Sequence, residues 1–147
     1  MKRIARSAIV EHAAAAVYDV VEDIESYPEF LPWCYAAEVH ERAQARTVAT
    51  LTVGMRAVRQ SFTTENTNRP GEGIDLRLVK GPFRKFAAAW RFTPLGEHAA
   101  KIEFSIEYEF SSRVLGKALE PLFDTIADTM VSAFSRRADQ LYGNSPG

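Results

Sequence analysis

Histidine, cysteine and paired carboxylates are the side chains whose spacing most readily announces chemistry, and here they announce none. His12, His40 and His98 fall in three separate stretches, and none stands at ligand spacing with Cys34 or a carboxylate on one element, so no structural metal is expected. Cys34 follows Trp33 with no histidine beside it in sequence, and a lone cysteine of this kind is ordinarily buried and inert. Glu103, Glu107 and Glu109 alternate with Ile102, Ile106, Tyr108 and Phe110, which turns the carboxylates to solvent rather than pairing them as acid and base. Glu22 and Asp23 merely close a helix. The sequence carries no glycine-rich phosphate loop, Walker-type lysine or dinucleotide fingerprint. With no acid/base pair placed, a cyclase or hydrolase activity has no local support, and the expectation is a chain that is not an enzyme.

Polar residues that keep step with apolar ones say more. Gln60 and Thr64 share the phase of Val58 and Phe62, which directs them to the covered side of a sheet. A buried amide or hydroxyl needs a partner; a ligand head group, a water or a neighbouring strand would each supply one. Tyr108 keeps step with Phe104 and Phe110, so its hydroxyl either orients a ligand or caps an ordinary aromatic core residue. A basic patch of Lys80, Arg84 and Lys85 surrounds Gly81-Pro82-Phe83, with Arg56, Arg59 and Arg91 on neighbouring strands. Such a hairpin tip, with Phe83 exposed on it, suits an RNA backbone or an anionic membrane surface; the plainer reading is a solvated hairpin.

These residues sit on readily recognised elements. Residues 2–11 read as a strand and Ala13 to Ile24 as a helix without a good N-cap. In the stretch 26–34, Pro28 and Pro32 limit the chain to one short helical turn followed by an extended exit. Tyr27, Phe30, Leu31 and Trp33 supply bulk there, as the rim over one end of the fold or as a connector plug. From Trp33 to Phe110 the apolar period is two, as in Phe86/Ala88/Trp90/Phe92 and Ile102/Phe104/Ile106/Tyr108/Phe110, the mark of an antiparallel sheet covered on one face. Turns are expected at Glu41–Gln44, Gly54, Arg69–Gly73, Gly81-Pro82 and Pro94–Gly96. From Ser112 to Tyr142 the period changes again: Leu115, Leu119, Leu122, Ile126, Met130, Phe134, Ala138 and Leu141 form one helical stripe, roughly 45 Å long at 1.5 Å per residue. Pro121 inside it predicts a kink or break after Glu120, either static or a hinge.

The expected architecture is therefore α+β, in the order β-α-(short helix)-β-β-β-β-β-β-α, with about seven strands and a long helix across a curved sheet. A helix laid over a curled sheet leaves space that large side chains fill or that an apolar ligand occupies. The candidate walls on the strands are Phe62, Leu76, Leu78, Trp90, Phe92 and Phe104. Those on the helix are Ile126, Met130 and Phe134, with Gln60, Thr64 and Tyr108 as the polar members. With 147 residues and a formal net charge of −1, the chain makes one domain, residues 1–143, and gives no global reason to bind DNA. Residues 144–147 are expected to be a disordered tail. One cysteine, no signal-peptide h-region and no apolar run of about 20 residues make the cytoplasm the expected location, with room for peripheral contact at the inner membrane.

The segments DIESYPEFLPWC (23–34), LVKGPFRKFAAAWRFTPL (78–95), IEFSIEYEFSSRVLG (102–116) and MVSAFSRRADQLYG (130–143) together resemble the START-like polyketide cyclase/coenzyme Q-binding family. Within it they are most similar to the bacterial branch of ribosome association toxins. The resemblance covers most of the chain in the right order and implies a helix-grip fold, like that of START and birch-pollen-allergen proteins. It implies a hydrophobic cavity able to hold ubiquinone or a similar lipid in support of respiration, with no required cofactor. For the bacterial branch it also implies binding to the large ribosomal subunit that blocks subunit joining. It carries over no enzymatic activity.

Overall fold

Alternation of apolar and polar side chains builds one antiparallel sheet in the computed structural model, which describes residues 1–143; the expected tail 144–147 lies outside the described residues. The strands are β1 (Lys2–Val10), β2 (Cys34–Ala43), β3 (Arg46–Met55), β4 (Val58–Arg69), β5 (Gly73–Lys80), β6 (Phe83–Gly96) and β7 (Ala99–Phe110). They form a seven-stranded sheet in the order β1-β7-β6-β5-β4-β3-β2. Successive hairpins therefore lay β2 to β7 side by side, and β1 closes the sheet against β7 in a register that runs from Lys2 opposite Tyr108 to Val10 opposite Ala100. Both edge strands carry charged residues, and β2 breaks register between Cys34 and Ala36 and again between Val39 and Glu41.

Three expected turns lie wholly or mostly within strands; that at Glu41–Gln44 falls largely in β2, with the reversal at Gln44 and Ala45. Gly54 belongs to β3, and the reversal falls at Arg56 and Ala57, where Arg56 takes φ 59°. The glycine is required for closeness instead: a Cβ there would lie 2.7 Å from both the Val58 carbonyl oxygen and the Tyr35 ring. Pro94–Gly96 continues β6, and the chain turns at Glu97 and His98. β5 pairs with β6 only as far as Arg91, so beyond that point a residue lacking an N–H sits where β6 has lost one neighbour.

Two short helices and one long one cover the inner face. α1 (Ala14–Glu22) has no side-chain cap and ends before the 3₁₀ turn Ile24–Ser26, which leads into α2 (Tyr27–Phe30). Leu31 is extended, as the following proline requires. α3 (Arg113–Tyr142) begins at Ser112, whose Oγ accepts the Leu115 N–H at 3.1 Å. It ends at Gly143 with φ 80°.

Of the kink or break expected at Pro121, the break is absent: α3 is one 30-residue helix through it. Packing on both sides explains this, since Leu119, Leu122 and Phe123 are all buried while Pro121 itself is exposed. The lost backbone hydrogen bond is outweighed by apolar burial on the flanking turns. The buried face is wider than the single stripe, taking in Phe123, Ala127, Val131 and Ala133, because α3 packs on α1 as well as on the sheet. It stops at Ala138; Leu141 is half exposed.

Candidate ligand cavity

Two aromatic groups fill most of the space between sheet and α3. Near the start of α3, Phe83 packs against Phe62, Phe86, Tyr108, Phe110 and Phe123, with ring centroids 5.1 Å from Phe123 and 5.3 Å from Phe110. Further along, Trp90 stands 4.9 Å from Phe104 and 5.2 Å from Phe134, and Phe134 meets Tyr27 and Phe30 edge-on. Between the two groups is a cavity of about 60 Å³.

Of the residues expected around it, the structure brings together Phe62, Thr64, Leu76, Trp90, Phe104, Ile126 and Met130. Tyr27, expected at the rim, is part of the wall, and its hydroxyl donates to the Val21 carbonyl. Ile24, Ala49, Leu51, Asn66, Phe86, Ala88, Ile106 and Phe123 complete the lining.

The other expected members lie elsewhere. Gln60 is near the open start of β4, donates to the neighbouring Ser61 carbonyl, and lines an outer depression of about 490 Å³ with Lys80, Gly81, Pro82 and Leu115. Leu78 packs beside that depression, within 3.2 Å of where a Cβ on Gly81 would sit. Phe92 is buried against Tyr18 and Trp90. Phe134 lies behind Trp90, in the second aromatic group. Tyr108 turns its hydroxyl toward Asp124 on α3 at 3.4 Å; burial, then that carboxylate, pushes the phenol up to about 12.

Leu31 and Trp33 plug the connector rather than lining the cavity. Trp33 Nε1 donates to Thr129 Oγ1 at 3.2 Å, and Arg137 stacks 4.9 Å from the Phe30 ring centre. Phe62 is the wall shared by the cavity and the outer depression.

The basic patch differs from expectation in two respects. Phe83 is buried rather than exposed: the pairing of β6 with β7 shifts register between Phe83 and Lys85, and such a bulge swaps the faces of the residues before and after it. Arg84 pairs with Glu109 at 2.9 Å. Arg91 pairs with Asp75, and Arg59 stacks 4.2 Å from the Tyr35 ring centre. Lys80 and Lys85 stay exposed, with no carboxylate within ion-pair distance among the described residues.

The sequence reading missed a polar row on the inner face. Thr64, Asn66 and Asn68 follow one another on β4, and all three are buried. Thr64 Oγ1 donates to Asn66 Oδ1 at 2.8 Å. Asn68 Nδ2 donates to Thr47 Oγ1 at 2.9 Å, and Thr47 donates in turn to Glu22 Oε1 at 3.1 Å. Glu22 is also held by Arg42 at 3.0 Å. The phase that singled out Gln60 and Thr64 continues unbroken to Asn66 and Asn68, so the signal was available. Cys34 is buried, and that burial pushes its thiol up to about 11. Among the described residues no group of three or more His, Cys, Asp or Glu side chains is arranged to hold a metal, and no helix is long and apolar enough to cross a membrane.

A family model described as polyketide cyclase / dehydrase and lipid transport matches residues 10–135. The chain belongs to this family. A member from Pseudomonas aeruginosa, named ribosome association toxin RatA, is 43% identical over 140 residues, covering 95% of this chain and 97% of that one. A more distant member from Xenopus laevis, named mitochondrial coenzyme Q-binding protein COQ10 homolog B, is 28% identical over 97% of this chain and 61% of its own length. In fold, the chain matches the crystal structure of the Zhui aromatase/cyclase from a Streptomyces species with a TM-score of 0.82 and 17% identity, covering 95% of this chain and 94% of that one. The family's START-like fold is the helix-grip arrangement described above.

Proposed function

We propose that this chain binds a hydrophobic small molecule, a polyprenyl quinone of the ubiquinone type, and does no chemistry on it. The observation that carries this reading is the apolar cavity of about 60 Å³ held between the sheet and α3. Aromatic and aliphatic walls favour a ring by removing it from water. The cavity is far smaller than the ~300–1,000 Å³ common for small-molecule sites, so a lipid enters only as side chains yield. Phe62 is the natural one to move, because it alone divides the cavity from the depression in which an isoprenoid tail would lie. The coenzyme Q-binding name of the Xenopus relative supports the ligand class. On this reading the chain works in the cytoplasm, takes up lipid at the inner-membrane surface in support of respiration, and needs no further cofactor.

The test is lipid extraction and native mass spectrometry of protein purified from its own host. A quinone retained at about one per chain is the expected result. Protein that carries no lipid, and that fails to take up a short-chain ubiquinone or its hydroquinone added to it, would sink the reading.

A second reading is favoured by a different observation. Relatives named ribosome association toxin reach 36–43% identity to this chain over almost its full length, although one from Rickettsia prowazekii is 26% identical, against 28% for the coenzyme Q-binding one. On this reading the chain binds the large ribosomal subunit and blocks subunit joining, through exposed Lys80 and Lys85 with Arg84 beside them. Cosedimentation with large subunits that falls with added salt and is lost in Lys80→Glu/Lys85→Glu supports it. Cosedimentation unchanged by that pair removes this surface from the reading.

A further inference from the structure

The polar row on β4 ends in an atom with no partner: Asn68 Oδ1 is buried and accepts no hydrogen bond. A buried acceptor left empty costs free energy comparable to a lost hydrogen bond, so its surroundings point to what completes it. It lines a void of about 20 Å³ whose walls include Asn66, Ile24, Tyr27, Leu76 and Trp90. Those five residues also line the larger cavity, so the void adjoins that cavity across a shared wall.

The orientation of the Asn68 amide follows from the groups behind it. The Glu22 carboxylate, paired with Arg42, only accepts, so the Thr47 hydroxyl must donate to it. The Thr47 oxygen is then an acceptor and draws the NH₂ of Asn68 toward it. Rotating the amide would set carbonyl oxygen against an oxygen whose proton is already committed. The chain Asn68→Thr47→Glu22 therefore fixes Oδ1 as the group facing the void. Next to it, the Thr64 hydroxyl occupies Asn66 Oδ1, which leaves the Asn66 NH₂ as a donor on the shared wall.

We infer that the bound molecule presents a hydroxyl group to Asn68, and that the site therefore selects a hydroxyl-headed apolar ligand, such as a phenol or the hydroquinone form of a quinone couple. A quinone or an ether offers oxygen acceptors alone and leaves Asn68 Oδ1 unmet. A hydroxyl oxygen needs about the space of one water, which a void of this size supplies, and the same oxygen can accept from Asn66. This rests on the apolar-ligand reading above and adds the chemistry of the head group to it.

Calorimetric titration of the full chain with 4-hexylphenol and with 4-hexylanisole tests both levels. The two probes differ in whether the oxygen carries a proton. The expected result is phenol binding about tenfold or more tighter than the ether. Asn68→Leu is expected to abolish that preference while keeping ether binding. Thr47→Val, which frees the amide to rotate, is expected to reduce it, and it serves if Asn68→Leu does not fold. Equal affinity for the two probes in the unaltered protein overturns the inference, leaving a bound water as the partner of Asn68 and the apolar-ligand reading intact. A preference that survives in every folded variant also overturns it. Failure to bind either probe counts against the apolar-ligand reading itself.

Discussion

Lys2 Nζ lies 2.5 Å from the Asp124 carboxylate and 3.2 Å from that of Glu120, so one lysine at the start of β1 ties together the two turns of α3 that flank Pro121. The hydrogen bond that Lys2 donates to Asp124 is the main reason its ammonium holds its proton more tightly than usual. All three side chains remain more than a third exposed, so solvent screens the interaction. Lys2→Met is expected to cost less than about 1 kcal/mol. A pKa raised on folding stabilises fully below the unfolded value of 10.5 and is lost as pH climbs through the raised one. Denaturation of the two proteins should thus differ by a constant amount from about pH 6 to about pH 9 and converge in strong alkali.

Gly73 is where β5 begins against β6, and a Cβ there would lie 2.8 Å from the Trp90 carbonyl oxygen. That oxygen belongs to backbone and yields little. Gly73→Ala should destabilise the chain by about 1–3 kcal/mol, the cost of overpacking. Urea unfolding measures it, and a neutral result would mean that the β5–β6 pair slides.

Phe62 divides the cavity from the outer depression and contacts Phe83, Phe86 and Phe123. Phe62→Ala should cost about 3–5 kcal/mol in stability and join the two spaces. Uptake of an apolar fluorescent dye should become faster in the variant. Slower or unchanged uptake would place the entrance elsewhere.

The Cys34 thiol, pushed up to about 11 by burial, should resist iodoacetamide in the native protein at about pH 8 and react once the chain is unfolded. Since its pKa is raised from 9.0, its contribution to stability is whole below pH 9 and fades as pH rises toward 11. Rapid native labelling at neutral pH would show that β2 opens at its first residue.

Most of this fold is legible in the sequence because two periods, two for strands and 3.6 for helices, are written over long runs. The apolar phase from Phe86 to Phe92 and from Ile102 to Tyr108 assigned the inner face without knowledge of any partner. What escaped depends on contacts between strands. The bulge between Phe83 and Lys85 reverses the phase of Phe83, and nothing local records it. Gln60 has the inward phase, but how far α3 covers β4 is a tertiary fact. Pro121 does not end α3, because packing on the turns either side of it holds the helix together. Asn66 and Asn68 were different: their phase was plain, and their polarity concealed them.

An open sheet leaves two unpaired rims, and a rim of free N–H and C=O groups is a template on which other molecules add strands and aggregate. β1 presents Lys2, Arg3 and Arg6, each engaged with an acid on β7 or α3. β2 presents Glu38, His40 and Arg42 and slips register twice along its length. An incoming strand meets charge along the first rim and a crooked ladder along the second. The irregularities of β2 thus guard the open sheet against edge-to-edge growth, at the one rim whose charges are not all tied to neighbouring elements.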